Sequence, residues 1–344
     1  MMSAQSVRSP ARAARAILVL AAIILVATLG RVPAAQDQNE GQQGVHVLHV
    51  QGRVYMLTGA GANITVQVGD DAVVVVDTGV PQMSDQVVAA IRTLSPKAIE
   101  FIIDTSVDED HTGGNANIAK AGHFNSGLNG EPGEASIIAH LNVLDRMVAP
   151  PKAGETPIPQ DMRPTDTYDN DDWAFFNDEA VILEHPHAAH TDGDSIVFFR
   201  RSDVISAGDI FTPDRYPMID LPKGGSINGE IDALNRILDI MVPKANEEGG
   251  TYVIPGHGRL CDRAVVTDYR DMATIVRDRI EDMVKKGKTL EQVKAAKPTL
   301  DYDGMYGADT GPWTTDMFID AVYRDLSSAK DQRGQKPAHA GDAR

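Results

Sequence analysis

Carboxylates and histidines crowd the points where this chain must turn. The densest group is the stretch 105–115, Thr-Ser-Val-Asp-Glu-Asp-His-Thr-Gly-Gly-Asn. Asp108 and Asp110 are two apart and share one side of an extended loop, and His111 adds an imidazole beside them. Oxygen and nitrogen donors in that arrangement can hold a divalent cation. The same composition also describes a solvated turn closed by side-chain to backbone hydrogen bonds, so the weight lies in what recurs. His185, His187 and His190 follow in Glu-His-Pro-His-Ala-Ala-His-Thr-Asp-Gly-Asp, Asp209 in Ala-Gly-Asp, and His257 in Ile-Pro-Gly-His-Gly. With Asp77 in Asp-Thr-Gly, five turns offer Asp, His or both, each beside glycine or another turn former.

Those turns need strands to carry them. Apolar runs at 45–50, 54–57, 63–68 and 72–77 are separated by Gly52, by Gly59 and Gly61, and by Gly69-Asp70-Asp71, a pattern of antiparallel strands joined by tight turns. Val73 to Val76 does not alternate, so that strand is expected to be covered on both faces. Phe101-Ile102-Ile103, 137–139, 181–183, 195–199, 204–206 and 252–254 read as further short strands. Between them 84–94, 115–120 and 231–241 have helical spacing, which makes an α/β chain. Strand ends in an α/β sheet converge on one crevice, so the Asp and His turns can meet there. The segment 149–172 is rich in Pro, Gly, Thr and Asp and is expected to be a long functional loop or lid. Beyond residue 265 the apolar stripes Tyr269-Met272-Val276-Ile280 and Phe318-Val322-Leu326 predict packing helices, with a capping box at Thr289 to Gln292.

The N-terminus reads as an address. Arg8, Arg12 and Arg15 precede an uncharged, mostly apolar run from Ala16 to Leu29, and Val32-Pro33-Ala34 offers small residues for cleavage, so residues 1–34 are expected to be a secretory signal peptide. The run is shorter than the ~20 residues of a spanning helix, and no later run is longer. The expectation is export to the periplasm or the extracellular space, with no stable membrane insertion after cleavage. A disordered polar leader would occupy 35–44, one domain 45–328 including C-terminal helices over 265–328, and a disordered polar tail 329–344. The net charge of −17 becomes more negative once the signal's arginines leave, which argues against nucleic acid and anionic membranes as partners and for a small-molecule substrate. Cys261 is the sole cysteine, so no intrachain disulfide is available.

In order and context, Asp77-Thr78-Gly79, Asp110-His-Thr-Gly-Gly114, His190-Thr-x-Gly, Ala207-Gly-Asp209 and Pro255-Gly-His257-Gly resemble the metallo-β-lactamase superfamily. The resemblance implies a four-layer αββα sandwich, here with a C-terminal helical extension, and a metal site along one edge. It implies roles by position: His190 as the third histidine of a first metal site, Asp209 as a carboxylate bridging two metals, His257 as the last histidine of a second site, and Asp77 as a hydrogen-bonding support. The family loop reads His-x-His-x-Asp-His, whereas this chain has Ser106-Val-Asp108-Glu-Asp110-His111. The second position therefore keeps Asp110, His111 and His257 with Asp209 in reach. The first would have Asp108, His190 and Asp209 beside Ser106, a poor ligand. Asp108 brings hard oxygen in place of imidazole, so zinc should be held weakly there and iron or manganese competes better. One well-held Zn²⁺ and a weak or absent second ion are expected. His185 and His187 have no counterpart among the ligands.

The chemistry expected is metal-dependent hydrolysis, a metal-bound hydroxide attacking a small ester, amide, lactone or lactam, with Asp110 orienting the hydroxide and Asp108 a candidate general base. Two other readings are a non-catalytic binding protein with a degenerate site and an iron-dependent redox protein. The redox reading is weakened because related di-iron proteins keep a histidine at the position of Ser106.

Overall fold

The computed structural model describes residues 44–123, 133–152, 154, 156–246 and 249–334. The expected signal peptide, residues 35–43 of the leader and 335–344 of the tail lie outside the described residues. The strands are β1 His46–Gln51, β2 Val54–Ala60, β3 Ala62–Val68, β4 Val73–Val76, β5 Ile99–Asp104, β6 Ser136–His140, β7 Asp166–Tyr168, β8 Asp172–Phe176, β9 Glu179–Glu184, β10 Ile196–Phe199, β11 Val204–Ser206, β12 Tyr252–Ile254 and β13 Cys261–Asp262. They form a seven-stranded sheet in the order β1 to β7 and a six-stranded sheet in the order β13-β12-β11-β10-β9-β8.

The valine run shows how the layers form. All four residues of β4 are buried. Val74 and Val76 point into the space between the sheets, where they meet Val181, Leu183, Val197, Phe199 and Ile254 of the second sheet. Val73 and Val75 point the other way, onto Val87 and Ile91 of the helix Ser84–Leu94 and Ile118 of the helix Asn115–Ala121. A strand buried on both faces gains nothing from a polar alternate residue, and β-branched side chains suit the pleated surface. On the far side of the second sheet, Ile196, Ile205 and Val253 pack against Leu234 and Ile237 of the helix Ile227–Ile240. Tyr269, Met272 and Val276 of the helix Arg263–Lys285 join them, as do Phe318 and Val322 of the helix Thr315–Gly334. The result is helix, sheet, sheet, helix, with the C-terminal helices thickening the last layer. The capping box at Thr289 forms as its sequence predicts.

The expected long loop is more structured than its composition suggests. Residues 166–168 form β7, which pairs in parallel with β6 and closes one edge of the first sheet. Tyr168 is buried there and donates to Ser195 Oγ at 2.5 Å. The helix Leu141–Val148, which sequence patterning did not mark, precedes the segment. Helix Thr315–Gly334 runs on into the region expected to be a polar tail. No helix among the described residues is long and apolar enough to cross a membrane.

Parallel pairing places the turns. β4 and β5 run in parallel with Val76 opposite Ile103, so the turn beginning at Asp77 and the loop beginning at Thr105 leave the first sheet side by side. β11 and β12 run in parallel with Ser206 opposite Ile254, which puts the turns carrying Asp209 and His257 together at the end of the second. Thr65 Oγ1 donates to Ser206 Oγ at 3.0 Å and Ser195 N to Thr105 O at 3.0 Å, tying the two sheets at that rim.

Candidate metal centre

The loop after β5 is built by short local bonds. Ser106 Oγ accepts from Asp108 N at 3.1 Å, and the Asp108 carbonyl accepts from His111 N and Thr112 N at 3.0 Å each. Asp108 thereby caps the single-turn helix Glu109–Thr112, and Asp110 and His111 project from that turn. Ser106 is thus spent on closing the turn.

His111 is fully buried. Its Nδ1–H donates to Asp77 Oδ2 at 2.9 Å, which leaves the lone pair on Nε2 facing the cluster. Asp77 also accepts from Thr105 N at 2.8 Å and from Thr105 Oγ1, and it sits at φ 63°, a left-handed conformation that Asp tolerates better than most residues. A carboxylate behind an imidazole fixes its tautomer and strengthens it as a donor.

His257 is held from the first sheet: Asn63 Nδ2 donates to the carbonyls of Pro255 at 2.9 Å and Gly258 at 3.0 Å, and Asn63 N to Gly256 O at 2.7 Å. Gly256 is required by contact, since a Cβ there would lie 2.2 Å from Asp209 Oδ1. His190 is held through Nδ1–H donating to the Met218 carbonyl at 2.5 Å, so its Nε2 also faces inward. The turn after it is closed by Thr191 N and Oγ1, which donate to Asp194 at 2.8 and 2.6 Å.

Asp209 lies between two groups. Its Oδ1 is 3.5 Å from His111 Nε2 and 3.6 Å from His257 Nε2, while its Oδ2 is 4.0 Å from His190 Nε2. His257 Nε2 is 3.1 Å from Asp110 Oδ2. Asp110, His111 and His257 form one cluster of donors, and Asp108, His190 and Asp209 another. His185 and His187 lie in neither. His185 donates through Nδ1 to the Asp194 carbonyl at 2.9 Å and stacks on His140 at 3.5 Å, with His187 edge-on at 5.1 Å.

The donor set fits a metal ion at the first of these clusters. His111 Nε2 and Asp209 Oδ1 are buried with no hydrogen-bond partner, a costly state for polar atoms unless a ligand completes them. Ligands ~2.0–2.1 Å from one tetrahedral ion stand about 3.3 Å apart. With Asp209 Oδ1 counted beside this cluster, the separations of 3.1 Å for His257 and Asp110, 3.5 Å for His111 and Asp209 and 3.6 Å for His257 and Asp209 bracket that value. At the other, Asp108 Oδ2 is 2.9 Å from His190 Nε2, a direct hydrogen bond, and the next gap is 4.0 Å.

Electrostatics follow the geometry. Burial would push the Asp209 carboxyl up, but the charges of His111, His190 and His257 hold it well below the usual carboxylate range. Asp110 is lowered chiefly by its hydrogen bond to His257. Burial would lower His111, yet Asp77 and Asp209 raise it well above an ordinary imidazole. Asp108 is held below the usual carboxylate range against the effect of its burial, by His190 and by Lys223. The Lys223 ammonium lies 2.5 Å from Asp108 Oδ1. Asp108 was expected as a free carboxylate able to act as a base. Both its oxygens are engaged by cationic donors, which removes the basicity that role needs.

A two-sheet sandwich with helices outside and a cluster of Asp and His at the ends of its strands defines a class of metal-handling proteins, and the comparisons agree. Residues 57–257 match the sequence profile of the Metallo-beta-lactamase superfamily, and the chain belongs to that superfamily. No curated protein matches it. Among solved structures it is similar to the stereoselective inverting sec-alkylsulfatase Pisa1 from Pseudomonas sp., at 15% identity and a TM-score of 0.58 over 86% of this chain and 52% of that one. It is also similar to the DIM-1 metallo-beta-lactamase, at 16% identity and a TM-score of 0.51 over 67% of this chain and 97% of that one. The chain spans about half the length of the alkylsulfatase, 52%. At such identities the likeness concerns the fold.

Proposed function

We propose that this protein is a metal-dependent hydrolase that works with one divalent cation, zinc in the first instance, held by Asp110, His111 and His257 with Asp209 alongside. The observation that carries the reading is the pair of buried, partnerless atoms His111 Nε2 and Asp209 Oδ1 facing one another at 3.5 Å. A divalent ion there supplies a water acidified from about 15.7 toward roughly 7, a nucleophile that needs no serine or cysteine. The protein's part is positional. Asp77 fixes the proton on His111 Nδ1, Asn63 fixes the loop of His257, and Asp209 presents its Oδ1 to both histidines. Asp110, partly exposed at the mouth of the cluster, is the carboxylate placed to orient an attacking water.

The substrate we propose is a small neutral or cationic ester, amide, lactone or lactam. A chain of net charge −17 repels polyanions. The reaction is proposed to take place outside the cytoplasm, on the strength of the basic and apolar N-terminal segment.

The test is the metal content of the purified protein with melting before and after chelation, followed by a panel of chromogenic esters, lactones, lactams and alkyl sulfates. One equivalent of ion, a lower Tm on its removal and metal-dependent turnover are expected. A protein that holds no ion, melts unchanged after chelation and turns over nothing would be a binding protein with a degenerate site. Iron with visible absorbance would move it to redox chemistry.

A further inference from the structure

We propose that Lys223 is a built-in cation that takes the place of the first metal ion, so that the centre is mononuclear by construction. The inference rests on the metal-centre reading above. Its starting point is that the ammonium is pinned where a second ion would have to draw its charge. Nζ is 2.5 Å from Asp108 Oδ1 and 2.8 Å from Asp220 Oδ2. The side chain is only 32% exposed.

The backbone beneath it is equally fixed. Asp220 caps the turn Leu221–Lys223 by accepting from Lys223 N, and Gly224 leaves the turn at φ 83°. The Lys223 carbonyl accepts from Arg146 Nη2 at 2.7 Å and from Asp192 N at 2.9 Å. An ammonium on a long stem usually costs rotamer freedom to localise; here a capped turn and two carboxylates share that cost.

The remaining ligands have adjusted to this cation. Asp108 gives one oxygen to Lys223 and the other to His190 Nε2, at 2.9 Å. That bond is shorter than the roughly 3.3 Å separating two ligands of one tetrahedral ion, so the pair closes on itself. Ser106, which would complete a family-like first position, accepts instead from Asp108 N. A dication placed among Asp108, His190 and Asp209 would face the ammonium across a single carboxylate. Removing the ammonium leaves three protein ligands and an unneutralised Asp108, a set that can bind a divalent ion.

The experiment is metal stoichiometry, with zinc and with manganese, by elemental analysis and by titration calorimetry, for the full chain and for Lys223→Met and Lys223→Arg. One ion is expected in the wild type and in Lys223→Arg, which keeps the charge, and two in Lys223→Met. Two tightly held ions in the wild type would overturn the proposal and leave the hydrolase reading standing. So would a single ion in a folded Lys223→Met. No ion in the wild type and one in Lys223→Met would support the lysine's role while removing the hydrolase reading, and no ion in either would remove both. Should Lys223→Met fail to fold, Lys223→Gln takes its place, with circular dichroism checking its structure.

Discussion

The two halves of the centre start from similar residue types and end in different states. At Asp110, His111, Asp209 and His257, side chains from three separate turns approach to separations of 3.1 to 3.6 Å and leave His111 Nε2 and Asp209 Oδ1 without partners. At Asp108 and His190 the carboxylate has bonded the imidazole directly at 2.9 Å and taken an ammonium on its other oxygen. One half keeps two buried atoms, His111 Nε2 and Asp209 Oδ1, without a partner, and the other has spent both oxygens of Asp108. The difference teaches that counting ligand-type residues does not establish a metal position. What matters is whether the protein's own donors have already satisfied them, because a satisfied carboxylate must break good bonds before it can ligate.

The comparison is broken most severely by removing a ligand from the unmet half. His257→Ala should reduce the ion from one equivalent to well below it and lower turnover about a thousand-fold, since the ion's contribution is worth several kcal/mol. Retained stoichiometry in that variant would show that His257 is not a ligand. A smaller effect is expected at the support. Asp77→Asn keeps a residue that tolerates the left-handed φ of 63° but gives His111 Nδ1 a weaker acceptor and takes one oxygen from Thr105. Metal affinity should fall by roughly 10- to 100-fold, the usual cost of losing such a partner, with the fold intact by circular dichroism. Unchanged affinity by calorimetry would mean the Asp77 bond serves only the turn.

How much of this could be read beforehand depends on whether the physics is local. The strand Val73–Val76 announced its double burial because both faces are recorded in four consecutive residues. The turns at Asp77, Asp110, Asp209 and His257 were legible because each joins a ligand-type residue to a glycine that the turn requires. Gly256 is the plainest case, with Asp209 Oδ1 where its Cβ would be. Lys223 was not legible. It meets Asp108 across 115 residues of chain, and a lysine in a Leu-Pro-Lys-Gly-Gly turn carries no mark of what it will neutralise. The strand Asp166–Tyr168 was missed for a related reason: three residues with one buried side chain have too little pattern to outweigh the Pro and Gly before them. The helix Leu141–Val148 buries only Val143 and Met147, too short a stripe to stand out.

The smallest expected effect sharpens the spent half. Burial would lower the pKa of His190, but its hydrogen bond to Asp108 and the nearby charges of Asp194 and Asp209 push it up to about 10 from an ordinary 6.5. A group raised on folding binds its proton more tightly in the folded chain. Its stabilisation is therefore fully present below about 6.5 and is lost as pH rises through about 10. In chelated protein, Tm should fall by about 3 °C between pH 7 and pH 9.5, the shift that roughly 2 kcal/mol gives a chain of this size. His190→Gln should flatten that slope. If the first position holds no ion, the part of the slope that His190→Gln removes should be the same in metal-loaded and chelated protein, because His190 remains an imidazolium bonded to Asp108 in both; only the part owed to His111, whose pKa is also raised in the metal-free chain, is lost on loading. An ion at His190 would require neutral imidazole, and disappearance on loading of the part of the slope that His190→Gln removes would place one there.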